Sequence, residues 1–72
     1  MISYAPFWDT LKHSDESTYT LIKTHHISSS TIDKLRKNKP INTTTVNDLC
    51  RILGCPVERI MRYAPDENDQ HL

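Results

Sequence analysis

The chain has 72 residues, 36% of them hydrophobic and 25% charged, with nine basic and nine acidic residues balancing to a net charge of zero. That length allows one small domain with a single interior, and the composition suits a folded globule rather than a disordered chain. It excludes a membrane span, since no apolar run approaches the length needed to cross a bilayer; a single glycine among 72 residues also argues against phosphate-cradling loops and tight β-hairpins.

The first predicted element is a helix. Tyr4, Phe7, Trp8 and Leu11 fall at i, i+3, i+4 and i+7, one stripe on a helical surface. Pro6 is acceptable in a first turn. Phe7 and Trp8 are read as core rather than as a binding platform. The polar stretch "SDES" at 14–17 breaks the pattern, and Ser17 is placed to cap a second helix through "TYTLIKT" with Leu21 and Ile22 inward. "HHI" at 25–27 interrupts. His25 and His26 are expected to lack charge partners.

Ser28 or Ser29 then restarts a helix that buries Ile32 and Leu35 and carries cations at its end, where they suit the dipole. Asn38, Lys39 and Pro40 stop it. Asn42 or Thr43 caps a fourth helix, with Val46, Leu49, Cys50 and Leu53 inward and Gly54 as the stop residue. Cys50 reads as a small buried hydrophobe. Pro56 opens a predicted fifth helix burying Val57, Ile60, Met61 and Ala64, and Pro65 closes it. The expected organisation is an all-α domain over residues 1–65, with no strand, followed by an acidic flexible tail over 66–72. The β-branched "NTTTV" at 42–46 is outweighed by its caps and the helical period after it.

The charges are unevenly placed. Asp66, Glu67 and Asp69 lie in the last seven residues; without them nine basic residues face six acidic ones. Lys34, Arg36, Lys37 and Lys39 fall within six positions. A neutral total with a local basic cluster is compatible with phosphate binding. Catalytic chemistry has no support: no nucleophile turn, no glycine-rich loop and no paired carboxylates on a helix face. Cys50 and Cys55 have no second cysteine pair, so no zinc site and no cofactor are expected. With no amino-terminal basic and apolar leader, the expected location is cytoplasmic and nucleoid-associated, with both cysteines reduced.

The spacing across segments two and three is the most informative feature. Ile22 faces inward, His26 lies in the turn, Ile27 packs inward, Ser28 caps, and Ile32 follows inward five residues after Ile27. Two short helices joined this tightly form a helix-turn-helix, whose second helix can lie in a major groove. On these residues the stretch "STYTLIKTHHISSSTIDKLRKNKPINTTTVNDLCRILGCPVERIM", Ser17 to Met61, resembles the Cro/lambda-repressor-type (Xre-like) helix-turn-helix proteins of bacteria and phages. With the flanks "ISYAPFWDTLK" and "MRYAPDE", the resemblance runs to about Glu67 and is similar to a subgroup of short single-domain regulators.

The resemblance implies a compact five-helix lambda-repressor-like domain with helices two and three as the motif. It implies a sequence-specific regulator of transcription, a repressor, that occupies double-stranded DNA as a homodimer. No membrane and no small-molecule ligand are implied. A recognition helix of about Ser29 to Lys37 would carry Ser29, Ser30 and Lys34 toward bases, with Thr31 and Asp33 beside them. Lys34 suits guanine O6/N7 and Asp33 suits cytosine N4. Arg36, Lys37, Asn38 and Lys39 would meet phosphates, as would Ser17 and Thr18 on one side of the site and Thr43 and Thr44 on the other. Ser28 is read as a cap and counted with the phosphate contacts. The fifth helix, with Arg59, Ile60 and Tyr63, is the expected dimer surface.

Two positions depart from the family pattern. Ile22 stands where a small residue is usual, and His26 stands where glycine is usual. A non-glycine residue at positive φ costs about 1 kcal/mol or more, so this turn is expected to be strained. The rival reading is a protein-interaction module of the same fold (an antirepressor, antitoxin or phage accessory protein), favoured by the neutral charge and acidic tail.

Overall fold

The computed structural model describes residues 1–69. Its elements run β1 (Ile2–Ser3), α1 (Ala5–Lys12), α2 (Thr18–Lys23), α3 (Ser29–Arg36), α4 (Thr43–Leu53), a single 3-10 turn (Val57–Arg59) and β2 (Arg62–Tyr63). Among the described residues no helix is long and apolar enough to cross a membrane.

The core draws on the inward positions that the helical periods predict, but Val57 and Ala64, expected inward, are exposed, and Trp8, Ile22, Cys50, Leu53 and Met61 are only half-buried. Tyr4, Phe7 and Leu11 come from α1 and the residue before it, Leu21 from α2, Ile27 from the turn, Ile32 and Leu35 from α3, Val46 and Leu49 from α4, and Ile60 from beyond α4. Phe7, Leu21, Leu35, Leu49 and Ile60 are fully enclosed, and each such side chain contributes about 1.5–3 kcal/mol through burial. Trp8 is half-buried. Its ring meets Phe7 edge-on at 4.9 Å, and its Nε1 donates to the Leu35 carbonyl at 3.2 Å. This bond ties α1 to the end of α3.

The predicted fifth helix does not form. Only Val57–Arg59 turn, in 3-10 geometry, and the chain then extends. The reason is tertiary. An α-helix continuing through 60–64 would need the carbonyls of Arg59 and Ile60 for its own amides. The Arg59 carbonyl instead accepts from the Thr10 hydroxyl at 2.8 Å, and the Ile60 carbonyl accepts from the Phe7 amide at 3.2 Å. The second bond also satisfies one of the free amides that open α1. Tyr4, which precedes that helix, offers no side-chain cap.

The absence of strands expected from the sequence is likewise corrected. Arg62–Tyr63 pairs antiparallel with Ile2–Ser3, Ile2 opposite Tyr63. The Ala64 amide donates to the Met1 carbonyl at 3.0 Å. Part of the segment read as a loose tail is engaged as well: Asp69 Oδ2 accepts from the Tyr63 hydroxyl at 2.8 Å and pairs with the Met1 ammonium at 2.8 Å. Residues 70–72 of that segment lie outside the described residues.

The caps hold as read. Ser17, Ser28 and Asn42 each accept a backbone amide three residues on, and Gly54 ends α4 at φ 62°. Of the two candidates at the start of α4, Asn42 is the cap and Thr43 is the first helical residue.

Candidate nucleic-acid interface

The short helix α2 is held at both ends by one carboxylate. The Ser17 hydroxyl accepts from the Thr20 amide while the Thr20 hydroxyl accepts from the Ser17 amide, a reciprocal cap. Glu16 Oε1 accepts from the Thr20 hydroxyl at 2.8 Å and lies 3.2 Å from His25 Nε2. His25 therefore has a charge partner, contrary to the expectation from sequence. Sixteen to 25 is too long a separation for any helical spacing to reveal. The Thr20 hydrogen bond, followed by His25, holds the Glu16 carboxyl below its ordinary value, although partial burial opposes this.

His26 sits at φ 61°, the left-handed conformation for which glycine is usual. The turn keeps its shape and the strain falls on the histidine. Ile27 follows, buried, with its amide donating to the Leu21 carbonyl at 2.9 Å. Ile22, the second departure, is half-buried and packs against the core.

Helix α3 buries Ile32 and Leu35 and turns Ser29, Ser30, Asp33, Lys34, Arg36 and Lys37 outward. Ser28 is spent on the cap: its Oγ accepts from the Thr31 amide at 3.1 Å and lies 2.9 Å from the Thr31 hydroxyl. Thr31 thereby belongs to the cap as much as to the surface. Ser29 and Ser30 occupy the first two helical positions, where amides have no partner inside a helix and point outward.

The remaining side chains divide by whether they are engaged. Lys37 Nζ pairs with Asp33 Oδ2 at 3.1 Å, an exposed i,i+4 pair of about 0.3–0.5 kcal/mol that phosphate can displace. Asn38 takes a left-handed conformation at φ 55°, and its Oδ1 accepts from the Tyr4 amide at 3.0 Å. Its carboxamide oxygen is thus committed to holding α1. Arg36 lies over the Trp8 ring, 5.6 Å from the centroid. Lys34 and Lys39 are exposed and have no carboxylate partner within 4.0 Å among the described residues. Lys39 also lends its carbonyl to the Tyr4 hydroxyl at 2.8 Å. Thr43 and Thr44 are exposed on the first turn of α4, and Thr18 is half-buried at the start of α2. The Trp8 support beneath Arg36 has no signature in spacing, because it joins α1 to α3.

Residues 7–66 match the family model of the Cro/C1-type helix-turn-helix DNA-binding domain. The chain belongs to that family. Among solved structures it is similar to the transcriptional regulator VanUg, crystal form II, with a TM-score of 0.80 and 29% identity over 90% of this chain and 87% of that one. No curated protein matches the chain at a significant level. The domain is of a DNA-binding class.

Proposed function

We propose that the protein is a sequence-specific transcriptional regulator, acting as a repressor by occupying double-stranded operator DNA as a homodimer. The observation that carries this reading is the outer face of α3: in a Cro/C1-type domain its first turn presents Ser29 and Ser30 and its second turn Lys34, which has no carboxylate partner among the described residues, with cations behind them. Small hydroxyl residues allow close approach to base edges, and Lys34 favours guanine. Asp33 keeps its Oδ1 free to accept from cytosine while Oδ2 faces Lys37.

Arg36, Lys37 and Lys39 hold phosphate and set register without reading sequence. Asn38 adds to them through its amide nitrogen, the donor of its side chain, while its oxygen accepts from Tyr4. Ser28 and Ser17 act through the helix starts they cap, next to the amides that meet phosphate. Thr18, Thr43 and Thr44 flank them. The expected dimer surface loses Ile60, which is 0% exposed; Val57 and Tyr63, 45% and 62% exposed, and Ile2 opposite Tyr63 are exposed apolar groups on that side.

Titrating duplex DNA of mixed sequence at rising salt tests the proposal. A regulator loses affinity steeply, with a slope of about 0.9 in log K per log salt for each neutralised phosphate. Lys37→Ala with Lys39→Ala flattens that slope and weakens all duplexes alike. Ser30→Ala with Lys34→Ala leaves the slope near its original value and narrows the gap between selected and random DNA by about 1–3 kcal/mol. Failure to bind any duplex at low salt would overturn the reading in favour of a protein-interaction role.

A further inference from the structure

Gly54 ends α4 in the left-handed conformation, and the Cys55 amide donates back to the Cys50 carbonyl at 3.0 Å. This closure brings together the side chains of its first and last residues, which are ordinarily two apolar groups in contact. Here both are cysteines. With standard bond lengths, a hydrogen bond of that length limits the Cα–Cα separation to about 7.2 Å even along a straight path. The bends at the carbonyl and the amide shorten that path toward the range of about 4.4–6.8 Å that a disulfide spans.

Both thiols are free and half-buried against the core. Cys55 also lines an open cleft with Asp9, Thr10, His13, Leu53 and Arg59, so a small oxidant reaches it from solvent. Burial and then the neighbouring Cys50 raise the Cys55 thiol above its ordinary value, against the lowering effect of the Arg59 cation.

We propose that Cys50 and Cys55 form a dithiol modification site, which a small peroxide converts reversibly into an intrachain disulfide across the turn at the end of α4. One thiolate attacks a peroxide oxygen; the O–O bond breaks, hydroxide leaves, and a sulfenic acid forms. The second sulfur attacks that sulfenic sulfur; the S–O bond breaks, and the second thiol's proton leaves with the oxygen as water. Two thiols and one hydrogen peroxide give one disulfide and two waters. Because the thiolate is the reacting species, the rate climbs as pH rises through the alkaline range in which thiols deprotonate.

The test treats the full chain with equimolar hydrogen peroxide, alkylates with iodoacetamide and measures intact mass. The expected product is a monomer lacking two hydrogens, unalkylated at both positions and fully restored by dithiothreitol. Untreated chain should also have both cysteines protected by one equivalent of phenylarsine oxide, which bridges paired thiols and requires no variant. Cys50→Ser should abolish the closed monomer. The proposal is overturned if peroxide gives independently oxidised cysteines or intermolecular dimers, if both thiols remain alkylatable, or if the arsenical protects neither.

Discussion

The turns after α2 and after α4 adopt the same backbone conformation by different means. His26 lies at φ 61° and Gly54 at φ 62°. At Gly54 the residue itself supplies the freedom. A Cβ built there meets nothing within 4 Å, so any cost of substitution comes from the backbone alone. At His26 the residue is unsuited and the surroundings impose the shape: buried Ile27 follows, its amide is bound by Leu21, and the His25–Glu16–Thr20 cluster closes over α2. A turn between packed elements can be forced by its neighbours, whereas a turn facing open space depends on its own residue.

The largest effect that would break this comparison comes from Gly54→Val. A β-branched residue in the left-handed region costs about 1–2 kcal/mol, read as a drop in the urea midpoint with an unchanged m-value. Gly54→Asn should lose less than half as much, because Asn tolerates that region. Equal losses for Val and Asn would mean that φ is not the cause. His26→Gly is smaller and opposite in sign. Relief of strain is offset by the greater freedom glycine has when unfolded, leaving a gain of about 0.5 kcal/mol. A loss above 1 kcal/mol would show that the imidazole makes a contact beyond its backbone role.

The smallest effect depends on pH. The Glu16 carboxyl is depressed in the fold, chiefly by Thr20 and then His25. Its contribution is therefore fully present above the unfolded value and is lost as pH falls through the folded value, below the ordinary 4.5. Glu16→Gln should flatten the acid limb of stability against pH, followed by urea unfolding at stepped pH. The deficit of Gly54→Val should stay constant across the same range. If Glu16→Gln leaves the acid limb unchanged, the clasp over α2 does not help to hold the His26 turn.

Four helices, their caps and nearly the whole core were legible in the sequence, because apolar spacing and cap residues act within one element. Val46, Leu49 and Gly54 need only α4 to be understood. The segment after Pro56 also carries a helical period and still extends, since Thr10 and Phe7 take the carbonyls a helix would use. That competition arises from residues about fifty positions away. The two-residue strands are too short to carry any alternation. The motif helices were legible for the same reason as the core. Which of their polar side chains are already engaged was not, because Asn38 answers to Tyr4 and Arg36 to Trp8 only after folding.

Trp8 is the chain's one tryptophan. Its indole donates to Leu35 and lies beneath the Arg36 guanidinium at the trailing end of α3. All indole fluorescence of this protein therefore originates beside that helix end. An anion that draws the guanidinium off the ring alters the emission directly, so the unlabelled protein carries its own optical gauge of whether α3 is occupied.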